Sequence, residues 1–254
     1  MVTEIFTLRG TSETVGSPNN FLTYVTRYLD SNKYLVSTDL NYPASIGPNG
    51  PRINPGGPSE EQSVEQGVNI IAEAIRHSSN VVGLLGYSLG AETVSRFLER
   101  KAQGEFSDCQ LAWAGLVANP NRAPGEGIDS GSVGYGINGA HSPYPLGIPV
   151  FNAANPQDGI TSCPEGSPLR TLADHVSNFT FAGTSWSQDE INRLLSNRWQ
   201  PTNVAWWMDP VGTFNKYTNA AALMRGYLFD GQHEAHYIND GYCQRLAARL
   251  NSAV

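Results

Sequence analysis

Basic residues are scarce in this chain and concentrated nowhere. Sixteen Lys and Arg stand against 23 Asp and Glu among 254 residues, a formal net charge of −7. No stretch gathers enough positive charge to neutralise a phosphate backbone, so nucleic acid is not an expected partner. Cysteine is nearly absent. Cys109, Cys163 and Cys243 are too few and too scattered for a disulfide framework or a zinc site, and allow at most one bridge with one thiol left over. Long hydrophobic runs are missing too: none approaches the ~20 residues that span a bilayer. The opening Met-Val-Thr-Glu has neither the basic nor the apolar stretch of a secretion signal. These absences lead us to expect a soluble monomer in which one large core carries the fold.

What is present is alternation. Short apolar, β-branched or aromatic runs at 4–10, 33–40, 80–87, 110–118 and 147–154 each end at Gly, Asn or Pro and are predicted strands. Helical patterns lie between and after them. In 59–77, Val64, Val68, Ile71, Ala72 and Ile75 recur at the spacing of one buried face, behind a helix start at Ser59-Glu60-Glu61. A second helix follows Ser88 over 89–103, and a third over 239–251 places Tyr242, Leu246 and Leu250 on one stripe. Such alternation predicts an α/β fold, a doubly wound and mostly parallel sheet with helices on both faces. The segments 46–62 and 123–145, rich in Pro, Gly and Ser, are predicted loops. From 165 to 230 the strands stop, and helical pieces with four of the five Trp suggest an inserted cap. The expected division is a core over 1–164, a helical cap over 165–230, and a return to the core over 231–254.

The chemistry-bearing stretch is Gly86-Tyr87-Ser88-Leu89-Gly90, a GxSxG between a predicted strand and a predicted helix. In that setting the serine occupies a sharp turn that lifts Oγ out of the sheet, and the amide of the next residue, Leu89, points where an oxyanion would form. The plainer reading makes Ser88 an N-cap. A serine nucleophile needs a base and a group to orient it. Of the five histidines, His77 and His141 are expected in solvent and His175 in the cap, which leaves His233 and His236. Their HxxH spacing also suits a metal, but no further ligand cluster accompanies it, and no metal or organic cofactor is expected. Asp158, in a loop after the strand ending near 154, is the expected acid; its plainer reading is a turn former before Gly159. Asp129 and Asp230 compete with it. The order Ser, Asp, His suits an α/β-hydrolase.

Several segments taken in order carry a resemblance. "LRGTSETVGSP" (8–18) resembles the cutinase stretch in which Arg-Gly precedes a hydroxyl residue of the oxyanion hole, here Thr11. "LNYPAS" (40–45), "SVEQGV" (63–68), "GYSLGAE" (86–92) and "ANPNRAPGEG" (118–127) resemble segments of the lysin B esterases of mycobacteriophages and their cutinase-like relatives. The resemblance implies an α/β-hydrolase core with Ser88 as nucleophile, Asp158 as acid, His233 as base, and Thr11 and Leu89 at the oxyanion hole. It further implies a lipid ester substrate, the mycolic ester of arabinogalactan. The protein would be made in the infected host cytoplasm and act on the host envelope after release. A Tyr often follows the family's histidine by three positions, where this chain has His236, so His236 stays an alternative base. Relatives commonly carry Gln after the nucleophile; Leu89 offers only its backbone. The disulfide that holds the acid's loop in cutinases is not expected, because Asp158 and Cys163 are spaced differently. Trp186, Trp199, Trp206, Trp207, Phe214 and Tyr217 would line an acyl groove or form the cap's own core. A general cutinase or lipase, and a non-catalytic binding protein on the same fold, are the remaining readings.

Overall fold

The structure, a computed structural model, describes residues 2–47, 49–52, 54, 56–130, 133–170 and 210–253. Five strands, β1 (Thr3–Leu8), β2 (Tyr34–Asp39), β3 (Val81–Tyr87), β4 (Leu111–Val117) and β5 (Val150–Ala153), pair in parallel in the order β2-β1-β3-β4-β5. The central strand β3 is apolar almost without interruption and buried from Val82 to Tyr87, as a strand covered on both faces must be. Gly83 sits in it because Trp113 of β4 lies across that position; a β-carbon there would meet the indole at 2.4 Å.

Helices cover both faces. α1 (Thr23–Thr26) and the C-terminal helices lie on one, and α2 (Glu60–His77) and α3 (Leu89–Ala102) on the other. α2 begins in a capping box, with Ser59 Oγ accepting from the Gln62 amide and Gln62 Oε1 accepting from the Ser59 amide. Its predicted face is the buried one: Val64, Val68, Ile71, Ala72 and Ile75 pack with Val94, Phe97 and Leu98 of α3.

The predicted helix over 239–251 is broken. Gly241 takes the left-handed conformation (φ 78°) and separates a short helix, Ala235–Asn239, from a longer one, Tyr242–Asn251. With Pro210–Leu228 before them these three are α4, α5 and α6 of the described residues. The buried stripe of α6 is Cys243, Leu246, Ala247 and Leu250, with Tyr242 at its half-buried margin. Tyr34 of β2 donates from its hydroxyl to the Leu250 carbonyl and ties that stripe to an edge strand of the sheet. All three cysteines are buried free thiols.

Strand order reverses between β1 and β3. The connection from β1 leads outward to β2, and the chain then crosses back over α2 to β3. Loops at the carboxyl ends of these two strands therefore diverge and leave a crevice, the place where open parallel sheets of this kind take up ligands.

Candidate active site

Ser88 stands on that crevice. It follows the last residue of β3 with φ 53° and ψ −120°, a conformation a non-glycine residue holds only when its surroundings enforce it. Three contacts enforce it here. The Ser88 amide donates to the Val117 carbonyl at 2.9 Å, and the Ser88 carbonyl accepts from the Glu92 amide at 3.0 Å. The third is close packing of the helix start on β1, where a β-carbon on Gly90 would lie 1.9 Å from the Leu8 carbonyl oxygen and one on Gly86 2.6 Å from the Gly90 oxygen. Both glycines of the motif are thus steric requirements of the corner. Ser88 makes no side-chain cap bond to α3, so the N-cap reading does not describe it.

The Ser88 hydroxyl lies 2.9 Å from His233 Nε2, and His233 Nδ1 lies 2.9 Å from Asp158 Oδ2. Three segments far apart in the chain meet here. Asp158 is fully buried and His233 8 % exposed. The carboxylate also accepts from the Tyr237 hydroxyl at 2.9 Å on Oδ2 and from the Ile160 amide at 3.0 Å on Oδ1. A carboxylate beside Nδ1 requires the imidazole proton there, which leaves Nε2 to accept from the serine hydroxyl.

Neighbouring residues hold these groups in place. Tyr87 donates to the His233 carbonyl at 3.0 Å; its ring stacks on Phe21 at 4.0 Å and lies 5.4 Å from the imidazole. Asn155 ties the loop of the acid to the loop of the histidine through bonds of 2.8 Å to the Gln232 carbonyl and side chain. The Tyr237 hydroxyl in turn accepts from the Asn155 amide at 3.1 Å. Burial first, and then the charge of Asp158, push the Tyr237 phenol well above its usual range. It stays a donor at any working pH.

The loop after β1 forms the other wall. Glu13 accepts from the amides of Gly10 (2.6 Å) and Phe21 (2.5 Å), and Arg9 fans onto the carbonyls of Glu13, Leu40 and Tyr42. These bonds fix the backbone that presents Thr11. Thr11 and Leu89 line a cavity of about 490 Å³ together with Ser88. Among the described residues, neither the Thr11 nor the Leu89 amide donates to a backbone carbonyl. Ile160, Leu169, Leu223 and Met224 make much of the remaining wall apolar; Leu169 and Leu223 also pack with Cys163 and Ala220, which seats α4 on the core.

His236 is not brought to the serine. Its Nδ1 pairs with Asp240 at 2.7 Å on the surface, with the side chain 38 % exposed. Asp129 pairs with Arg245, and Asp230 with Arg225. Among the described residues no group of three or more His, Cys, Asp or Glu is arranged to hold a metal ion, and no helix is long and apolar enough to cross a membrane. His141 corrects an expectation: its side chain is only 6 % exposed, paired with Glu126 at 2.9 Å and stacked on Tyr144 at 3.6 Å. His175, Trp186, Trp199, Trp206 and Trp207 lie outside the described residues, as do the side chains of Phe214 and Tyr217. Sequence reasoning missed Tyr237 as the second donor to Asp158 and Glu13 as the clamp of the β1 loop. Only the Arg-Gly-Thr stretch around Thr11 pointed toward the latter.

No family model matches the sequence, and no curated protein matches it. Solved structures do. Lysin B from mycobacteriophage D29 is 18 % identical over 94 % of this chain and 91 % of its own, with a TM-score of 0.49. The catalytic core domain of acetyl xylan esterase from Trichoderma reesei is 19 % identical over 77 % and 98 %, with a TM-score of 0.48. A cutinase-like protein from Cryptococcus sp. is 15 % identical over 76 % and 95 %, with a TM-score of 0.40.

Proposed function

We propose that this protein is a serine esterase in which Ser88 is the nucleophile, His233 the general base and Asp158 its orienting carboxylate. The observation that carries this reading is the unbroken relay from Ser88 Oγ through both nitrogens of His233 to Asp158, each step 2.9 Å, at the wall of an apolar cavity. His233 takes the serine proton as Oγ attacks the ester carbonyl, and Asp158 holds the imidazole in the required tautomer and stabilises its cation. The amides of Thr11 and Leu89, which donate to no backbone carbonyl among the described residues and both line the cavity, receive the oxyanion. His233 then returns the proton to the leaving alcohol, and water attacks the acyl-enzyme by the same relay run again.

The substrate proposed is a lipid ester, and more narrowly the mycolic ester of arabinogalactan, cleaved at the envelope of a phage-infected host. Support comes from the ordered motif resemblance and from the apolar wall, suited to an acyl chain. A fluorophosphonate probe tests the chemistry: it should label the wild type and fail to label Ser88→Ala. Incubation with mycobacterial cell wall tests the substrate and should release free mycolic acid. Turnover of short p-nitrophenyl esters without that release would leave an esterase of another lipid ester. A folded wild type that never labels removes the enzyme reading.

A further inference from the structure

The cavity beside Ser88 is mostly apolar, yet Asn138, Glu60 and Glu92 also line it. They are 4, 6 and 2 % exposed. Polar side chains so far from water destabilise a fold unless their atoms are bonded. Asn138 Nδ2 donates to Glu60 Oε1 at 2.5 Å and to Glu92 Oε2 at 3.1 Å. Carboxylates only accept, so the amide has one orientation, with nitrogen toward the two acids and Oδ1 away from them. Among the described residues Oδ1 accepts no hydrogen bond. Donation to two anionic acceptors also polarises the amide and makes that oxygen a stronger acceptor.

Position makes the oxygen useful. Glu92 lies one helical turn, about 5.4 Å, beyond Ser88 on α3, its amide bonded to the Ser88 carbonyl. The backbone of Asn138 is pinned by its amide to the Pro120 carbonyl at 2.9 Å, and Arg170 holds the carbonyls of Gly136 and Ile137 just before it. A neutral acceptor on a pinned backbone therefore faces the cavity that Ser88 also lines.

We propose that Asn138 Oδ1 is a specificity-determining acceptor for a hydroxyl on the substrate, carried a few bonds from the scissile ester. The proposal rests on the esterase reading above and deepens it. A substrate lacking the hydroxyl leaves Oδ1 desolvated and unpaired, and that penalty is the source of discrimination. A hydroxyl fits better than an ammonium group, which would have to shed its water in an apolar cavity.

The test measures kcat/KM of the full chain on two matched pairs. p-Nitrophenyl butyrate against p-nitrophenyl 3-hydroxybutyrate places the hydroxyl on the acyl side; propyl butyrate against 2,3-dihydroxypropyl butyrate places it on the alcohol side. At least one pair should favour the hydroxylated ester by about fivefold or more, the order one neutral hydrogen bond supplies, and that pair names the side. The preference should fall toward one in Asn138→Leu. Because that variant loses two bonds and risks unfolding, Asn138→Gln gives a second reading: it keeps an amide that can bond the two acids but displaces its oxygen by about one bond length, and should lower the same ratio. Ratios near one for both wild-type pairs overturn the proposal, as does a preference unchanged in both variants. So does faster turnover of 2-aminoethyl butyrate than of the dihydroxypropyl ester. If none of the esters reacts and the fluorophosphonate probe leaves Ser88 unlabelled, the esterase reading fails first; labelling tells the two failures apart.

Discussion

Two histidine–carboxylate pairs of equal length lie in this molecule. His233 meets Asp158 at 2.9 Å and His141 meets Glu126 at 2.9 Å. They differ in what the second nitrogen faces. For His233 it is the Ser88 hydroxyl, which donates or accepts as required. For His141 it is the Ser142 carbonyl at 2.6 Å, which only accepts. The first ring can pass a proton and the second cannot. His141 lies between two acceptors, which favour its protonated form, and works as a strut, fastening the loop before β5 to α3 through Tyr144, whose hydroxyl meets Ser95 at 2.7 Å. Proximity of a carboxylate does not make a histidine a base; the partner on the far side decides.

The largest effect should separate the two pairs outright. Ser88→Ala or His233→Ala is expected to lower kcat on an activated ester by about 10⁴-fold or more, whereas His141→Phe should change it by no more than a few-fold. Next comes Tyr237→Phe, which removes one of three donors to Asp158 while keeping the ring. It should lower kcat about tenfold with KM unchanged, measured on the same ester.

Stability should show the reverse order. His141→Phe leaves Glu126 without its charged partner and is expected to destabilise the fold by about 1–3 kcal/mol in urea unfolding. That loss should depend on pH. Burial disfavours the His141 cation, but the bonds to Glu126 and Ser142 and the nearby charge of Glu99 outweigh it and raise the folded value above the ordinary 6.5. The stabilisation is therefore fully present below about pH 6.5 and declines as pH rises through the folded value. Unfolding curves of wild type and His141→Phe should converge on the alkaline side. The smallest effect belongs to His236→Ala: exposed and paired only with Asp240, it should alter kcat by less than about twofold. A large loss there would return the base to His236.

All five predicted strands are present, with ends displaced by no more than three residues, because a buried parallel strand writes itself as an apolar run closed by a breaker. The helix faces were equally plain, except at Gly241, where one left-handed residue divided what the periodicity joined. The motif around Ser88, a carboxylate after the last strand and a late histidine were visible because a glycine-flanked serine between strand and helix is a local signature and the order of the three along the chain can be read directly. Which histidine meets Ser88 was not visible: His233 and His236 sit three positions apart, and only tertiary packing turns one inward. Tyr237, Glu13 and Asn138 were hidden for a related reason. Tyr237 and Asn138 work through partners 46 to 79 residues away, Asp158 for Tyr237 and Glu60 and Glu92 for Asn138, Glu13 works through two amides of its own loop, and irregular loops carry no period that would announce such meetings. His141 was expected in solvent because its stretch is rich in Gly and Ser, a composition that signals irregular backbone but not exposure.

The unpaired, sealed thiols bear on where such a molecule can be assembled. Burial raises each of Cys109, Cys163 and Cys243 above the ordinary cysteine range, Cys243 to about 12, so little reactive thiolate exists at neutral pH. No sulfur bridge fastens the three together. Glutathione would find no disulfide here to reduce and an oxidising solvent little thiolate to attack, so the covalent structure is insensitive to the redox state of the surrounding fluid.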